Sequence, residues 1–219
     1  MIDTDETRLR ISREAAQLIL DHGLAKTSGD AIASAAGMST RTVWRLFRNK
    51  ESCVQPVLMM AIQRFGRIMD QWPLEMALED HLRVALPLDG ETPRLIADGA
   101  LAVQLVALCA TEPDIRAVWL DAYHHLESQL HHVIARRTNR STLDLEVRMC
   151  AATVVAAIRI LDQDISIAAL NGDRDYSPAN LVALMSGAIR NAATLPICEP
   201  VASSIYRSSA GRRADACPD

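Results

Sequence analysis

Apolar residues recur at spacings of three and four along nearly the whole chain, and strand-like alternation bounded by turn residues is missing. The pattern predicts an all-α protein. A first helix runs from about residue 5 to His22, with Leu9, Ala15, Leu18, Ile19 and His22 on one side, and Gly23 stops it. Thr27 opens a short second helix over about 28–36, with Asp30 at its third position and Ile32, Ala33 and Ala36 turned inward. Gly37-Met38-Ser39 makes a tight turn, and Ser39 caps a third helix over about 40–47. Asn49 caps a fourth, which runs to about Asp70.

Punctuation sets the later helices. Pro73, Pro93 and Pro113 each precede an apolar-periodic run, where the missing N–H of proline costs no hydrogen bond. Ser141, with Asp144 three residues on, precedes a long apolar helix ending near Leu170, and Ser177-Pro178 precedes the last helix. After Pro196 the pattern fades into a polar segment expected to be loosely ordered. Pro56 falls several residues inside the fourth helix, where it predicts a kink and a pivot. The chain thus divides into a three-helix unit at 1–48, a helical domain at 49–196 whose first helix (about 49–70) is a connector, and a flexible tail at 197–219.

Composition adds bounds. Of 219 residues, 49% are apolar and 23% charged, an ordinary globular balance. The five cysteines (Cys53, Cys109, Cys150, Cys198, Cys217) have wide, unpatterned gaps, which fits a reducing compartment better than a disulfide or zinc framework. The charged start MIDTDETRLR lacks the apolar core of a signal peptide, and no charge-free run reaches the roughly 20 residues of a membrane span. A soluble cytoplasmic protein is expected. The net charge is −4, yet residues 1–52 hold eight Lys/Arg against seven Asp/Glu while the remainder holds fifteen against twenty. Attraction to a polyanion is therefore confined to the first unit.

Two short helices joined by Gly-Met-Ser have helix-turn-helix geometry, in which the second helix enters the major groove. On a 3.6-residue period Val43 and Phe47 face Ile32, Ala36 and Leu18, leaving Thr40, Arg41, Trp44, Arg45 and Arg48 outward. Thr40, Arg41, Trp44 and Arg45 are the candidate base readers: arginine is the usual bidentate partner of guanine O6 and N7. Thr27, Ser28, Thr42, Arg48 and Lys50 are the candidate phosphate contacts.

These residues carry a resemblance. Residues 11–51, ISREAAQLILDHGLAKTSGDAIASAAGMSTRTVWRLFRNKE, resemble the DNA-binding domain of the TetR family of bacterial transcriptional regulators. The matching pieces are the Ala-rich first helix closed by His22-Gly23, Ile32-Ala33…Ala36-Gly37, and Thr42-Val43-Trp44…Phe47…Asn49-Lys50-Glu51. The sequence departs from the family at Trp44, where Tyr is usual, and at Leu46, where an aromatic or His is frequent. It departs also at Gly29, usually apolar, and at Asp30, usually basic.

The resemblance implies a dimer built on the last two helices and a ligand pocket in each helical domain. The segment MCAATVVAAI is apolar nearly all round and must be covered on several sides. Val154, Ile158, Leu161, Ile165, Leu181, Leu184, Met185 and Ala188 are the candidate interface. Gln104, Trp119, Tyr123, His124, Arg159 and Gln163, polar or aromatic groups in apolar helices, are the candidate pocket, with Arg159 able instead to pair with Asp162 or Asp164. The histidines of YHHLESQLHH are adjacent or about seven apart, and seven residues of helix span about 10.5 Å, too far for one metal ion. No nucleophile elbow, P-loop, HExxH or dinucleotide fingerprint is present, so neither an enzyme nor a cofactor is expected. The expected function is a dimeric repressor in which double-stranded DNA with a palindromic operator is released by a small hydrophobic or amphipathic ligand. The alternative is an architectural or partner-regulated DNA-binding protein without an inducer.

Overall fold

The computed structural model describes residues 4–87, 90–172 and 177–201, and their regular structure is entirely helical. The helices are α1 (Thr4–His22), α2 (Gly29–Ala35), α3 (Thr40–Leu46), α4 (Gln55–Asp70), α5 (Leu78–Ala85), α6 (Pro93–Leu108), α7 (Pro113–Thr138), α8 (Leu145–Asn171) and α9 (Pro178–Ala192), with a single 3-10 turn at Glu51–Val54. Two compact units result. The first joins Met1–Phe65, Leu88–Leu126 and Arg159–Asp175; the second joins Gly66–Pro87, Glu127–Ile158 and Tyr176–Asp219.

In the first unit α1 turns Ile11, Ala15 and Ile19 inward with Ser12 and Ala16, and all five are buried. His22, expected beside Ile19, is exposed instead. Ser28, not Thr27, caps α2, its Oγ accepting from the Ala31 N–H at 3.2 Å. Ser39 caps α3 the same way through Thr42 at 3.1 Å. Between them Gly37 takes φ +64°, a left-handed value that a Cβ disfavours.

Pro56 is not inside a helix. Asn49 Oδ1 accepts from the Ser52 N–H at 2.9 Å, the 3-10 turn follows, and α4 begins only at Gln55. Pro56 is then the second residue of α4, where no donor is needed, so the predicted kink has no basis. The next first-turn donor, Val57 N–H, is satisfied from α1: the fully buried Ser12 Oγ accepts it at 3.1 Å.

The second unit is organised around a cation. Arg137, 3% exposed, lies 3.5 Å from the Trp72 ring centroid and donates to the carbonyls of Ile197, Pro73, Met76 and Glu199. The other face of the cluster is His81, stacked on Trp72 at 6.1 Å with its Nε2 2.7 Å from the Ile68 carbonyl. Residues Pro73 to Ala77 turn beneath this group, so α5 starts four residues later than the leucine after Pro73 suggested. The same contacts hold residues 197–201, expected within the loose tail: Ile197 and Cys198 are buried, the Cys198 carbonyl accepts from Leu78 N–H, and Val201 N–H donates to Leu74. Residues 202–219 of the expected tail lie outside the described residues.

Cys53, Cys109, Cys150 and Cys198 are free and buried. Burial pushes the Cys53 and Cys109 thiols up to about 12, which keeps them protonated and unreactive. Replacing Ser12 by Ala leaves a buried helix-start N–H without an acceptor, at a cost of roughly 1–2 kcal/mol. Urea unfolding of Ser12→Ala should show that loss; an unchanged midpoint would show the contact to be incidental.

Candidate nucleic-acid interface and a buried cavity

Helix α3 is fixed from behind. Val43 is fully buried and Phe47 nearly so, as the period predicts. Arg8 of α1 donates to the Leu46 carbonyl at 2.6 Å, and its guanidinium lies 4.7 Å from the Phe47 ring centroid. The C-terminus of the helix therefore receives both a charge-assisted hydrogen bond and a cation–π contact. Ser39 holds the other end. What remains outward is Arg41, Trp44, Arg45 and Arg48, all exposed.

Two of the departures from the family pattern explain each other. A Cβ on Gly29 would lie 2.0 Å from Cζ2 of Trp44, so the indole rests directly on the glycine backbone at the start of α2. The larger ring fits because the side chain beneath it is absent. Trp44 remains 42% exposed, which leaves only part of the ring for a partner. The other departure also has a role: Asp30 Oδ1 accepts from the Thr40 hydroxyl at 2.7 Å, so Thr40 is held by α2 rather than left free to search a groove.

The candidate phosphate contacts divide. Ser28 is exposed; its Oγ accepts from the helix and keeps its own proton to donate. Arg48 is exposed, and the half-buried Thr42 hydroxyl pairs with Ser39 Oγ at 2.8 Å. Thr27 does not fit the assignment. It is 4% exposed and its hydroxyl donates to the Gly23 carbonyl at 3.0 Å, inside the turn. Lys50 Nζ donates to the carbonyls of Leu24 at 2.6 Å and Thr27 at 3.3 Å. Its ammonium ties the α1–α2 loop to the segment that follows α3, a positioning role that leaves less for phosphate.

The first unit also encloses a cavity of about 60 Å³, lined by Leu58, Ala61 and Ile62 of α4, Gly99, Ala102, Val103 and Val106 of α6, Trp119 of α7 and Asp162 of α8. At its polar end the Tyr123 hydroxyl donates to Asp162 Oδ2 at 2.8 Å. Trp119 meets the Tyr123 ring edge-on at 5.2 Å, and the Arg159 guanidinium lies 5.8 Å from the Trp119 ring centroid. Asp162 is only partly covered as a residue, but its carboxyl end is enclosed. That burial raises its pKa, against the opposing pull of the Tyr123 and Trp119 donors. Burial and then the Asp162 charge push the Tyr123 hydroxyl well above its ordinary value. The Trp119 indole N–H is close enough to act on Asp162, yet it is buried without a formed hydrogen bond.

Of the candidate pocket residues, Trp119, Tyr123 and Arg159 come together here. Gln104 is half-buried and donates to the Ala100 carbonyl at 3.4 Å of its own helix, Gln163 does not line the cavity, and His124 is exposed. Asp162, considered in the sequence only as a partner for Arg159, is the residue that faces the cavity. Its signal is an acid on the inward stripe of α8, at the spacing that also buries Val155, Ile158 and Ser166.

Above the cavity a bidentate ion pair joins α1 to α6. Arg13 Nε and Nη2 donate to Asp98 at 2.6 and 2.7 Å, with Asp98 3% exposed. Glu6 and Arg94 add a second, exposed link at 3.2 Å. Of the candidate interface residues, Val154 and Ile158 are buried inside the subunit, at 1% and 3% exposure, and have no surface to offer a second chain. Leu161, Ile165, Leu181, Leu184, Met185 and Ala188 are half-buried, and the apolar residues that α8 exposes are Leu145, Met149, Ala152, Ala156, Ile160, Ile167, Ala169 and Leu170. Among the described residues no group of three or more His, Cys, Asp or Glu side chains could hold a metal ion, and no helix is long and apolar enough to cross a membrane.

Residues 11–57 match the family model described as bacterial regulatory proteins, tetR family, and residues 92–192 match that described as the MftR C-terminal domain. The HTH-type transcriptional regulator TcmR of Streptomyces glaucescens is 28% identical over 169 residues, covering 73% of this chain and 71% of the relative. Among solved structures, Salmonella enterica GusR is 23% identical with a TM-score of 0.53, over 84% of this chain and 96% of its own. The fatty acid degradation regulator FadR of Bacillus halodurans is 17% identical with a TM-score of 0.52, over 84% of this chain and 94% of its own. These structures share the all-α fold.

The Trp44–Gly29 contact makes a direct prediction. Gly29→Ala gains helix propensity of up to about 1 kcal/mol, but it must swing the indole aside. Unfolding free energy should stay within about 1 kcal/mol of wild type, while affinity for cognate DNA falls several-fold. The pair Gly29→Ala/Trp44→Tyr should recover most of that affinity. Unaltered DNA binding by the single variant would show that the indole position does not matter.

Proposed function

Because the chain belongs to the tetR family of bacterial regulatory proteins, we propose that it is a cytoplasmic repressor, binding a palindromic operator as a dimer and released by a small hydrophobic or amphipathic ligand. The observation that carries the reading is α3, anchored at both ends and presenting Arg41, Trp44 and Arg45 outward. Arg41 and Arg45 read base edges, Trp44 packs on a thymine methyl or sugar with its uncovered edge, and Ser28, Thr42 and Arg48 take phosphates. The reading head of residues 1–48 and the regulatory domain of residues 49–196 are then the functional division of the chain, with α4 connecting them.

Ligand response follows from the first unit. Asp98, which holds Arg13 of α1, is followed in α6 by Gly99, which lines the cavity. A ligand entering between α4 and α6 displaces α6, and the ion pair carries the displacement into α1. A coupling of roughly 1–3 kcal/mol changes operator affinity about 5–150-fold. Dimerisation uses the exposed face of α8 around Met149, Ala152 and Ala156, with Leu184, Met185 and Ala188 of α9. Burial of that apolar surface against a second copy supplies the two-fold symmetry that a palindrome requires.

The test is fluorescence anisotropy of the protein on the DNA upstream of its own gene, beside a scrambled duplex, at several salt concentrations. Wild type should bind one site tightly, and Arg41→Ala/Arg45→Ala should lose it, each good bidentate contact being worth about 1–3 kcal/mol. Weak, salt-steep binding to both duplexes, indifferent to the substitutions, would point to an architectural binder instead.

A further inference from the structure

We propose that the cavity between α4, α6, α7 and α8 takes a protonated organic amine, with its cationic nitrogen beside the Asp162 carboxylate and its apolar body along α4 and α6. The proposal rests on the ligand-responsive reading above and gives that ligand a chemical class. Among the residues that line the cavity Asp162 alone carries a charge, and the rest of the wall is aliphatic except for Trp119. Arg159 lies over the Trp119 ring, partly exposed, and does not line the cavity; its charge acts on the Tyr123 hydroxyl, but it is not ion-paired with Asp162. The charge that an entering molecule meets in the wall itself is therefore that of an acid.

The acid is incompletely satisfied. Tyr123 occupies Oδ2, and among the described residues no cation is ion-paired with the carboxylate. An enclosed carboxylate without a counter-charge is costly, as its raised pKa reflects, and a cation would reverse that cost. Trp119 stands in the same wall, and a cation favours an aromatic face. The buried Trp119 N–H, without a formed hydrogen bond, is a second incomplete group in the same wall. It would be met by an oxygen acceptor close to the nitrogen.

Size restricts the occupant. About 60 Å³ holds a few water molecules, enough for a compact head group. The wall has slack at Gly99, where a Cβ would meet nothing within 4 Å, so a larger body can be admitted by a shift of α6. That shift is the movement which the Arg13–Asp98 pair transmits.

Three probes of one shape and different charge test the inference: 2-phenylethylammonium, 2-phenylethanol and phenylacetate. Each is titrated calorimetrically into the full-length protein, its Asp162→Asn variant and its Tyr123→Phe variant, with folding checked by circular dichroism. The ammonium should bind wild type at least tenfold more tightly than the alcohol. Asp162→Asn should erase that preference and Tyr123→Phe should keep it. Equal or tighter binding of the alcohol or the carboxylate, a preference that survives in Asp162→Asn, or binding of none of the three would overturn the proposal. Operator binding measured on the same samples reports separately on the regulator: release of DNA by the alcohol or the carboxylate removes the amine and leaves the repressor standing.

Discussion

The Arg13–Asp98 ion pair is the contact on which the first unit depends. Asp98 is a buried acid in an apolar helix, and without Arg13 it would be an uncompensated charge. Arg13 in turn gives α1 a fixed point on α6, while Ser12, the preceding residue, caps the start of α4. Two consecutive side chains of α1 thus hold two of the four helices that line the cavity. Contacts of α1 with α4 and with α6 are the physical basis of the coupling proposed between the cavity and the DNA-binding helices.

The same economy is seen at the head itself. Arg8, one turn before Ser12, binds the C-terminal carbonyl of α3. Lys50 ties the α1–α2 loop, and Ser28 and Ser39 close the helix starts. Positive side chains therefore serve two purposes. Arg8, Arg13 and Lys50 build the scaffold, and Arg41, Arg45 and Arg48 stay exposed, free for the DNA contacts proposed above. An acidic chain can be a DNA-binding protein because only a few cations need to face the duplex, provided that others hold them in place.

Most of the head was legible from residue order. The 3.6-residue period placed Val43 and Phe47 inward and Arg41, Trp44 and Arg45 outward, because a short helix with one apolar stripe has one possible orientation. The roles of Thr27 and Lys50 were not legible, since they depend on the carbonyls of Gly23 and Leu24, and backbone acceptors carry no residue signature. Pro56 misled because the Asn49 cap opens a 3-10 turn and not α4 itself, and the Val57 N–H that follows Pro56 is met by Ser12, forty-five residues away in sequence. On α8, a helix apolar on every side does not reveal which side faces its own core, so Val154 and Ile158 were assigned to an interface although they are buried. Asp162 was passed over because an acid on a helix is usually solvated, and on a helix apolar nearly all round its place on the inward stripe shows only once that stripe is known.

The most direct test of this account is a double-mutant cycle on Arg13 and Asp98, with Arg13→Ala, Asp98→Ala and the double variant unfolded in urea. The account predicts that each single loss is large and that the double variant loses little more than either, giving a coupling energy of about 1–3 kcal/mol. Losses that add to within about 0.5 kcal/mol would contradict it: α1 and α6 would then be neighbours without a mechanical connection, and the route from cavity to reading head would have to run elsewhere.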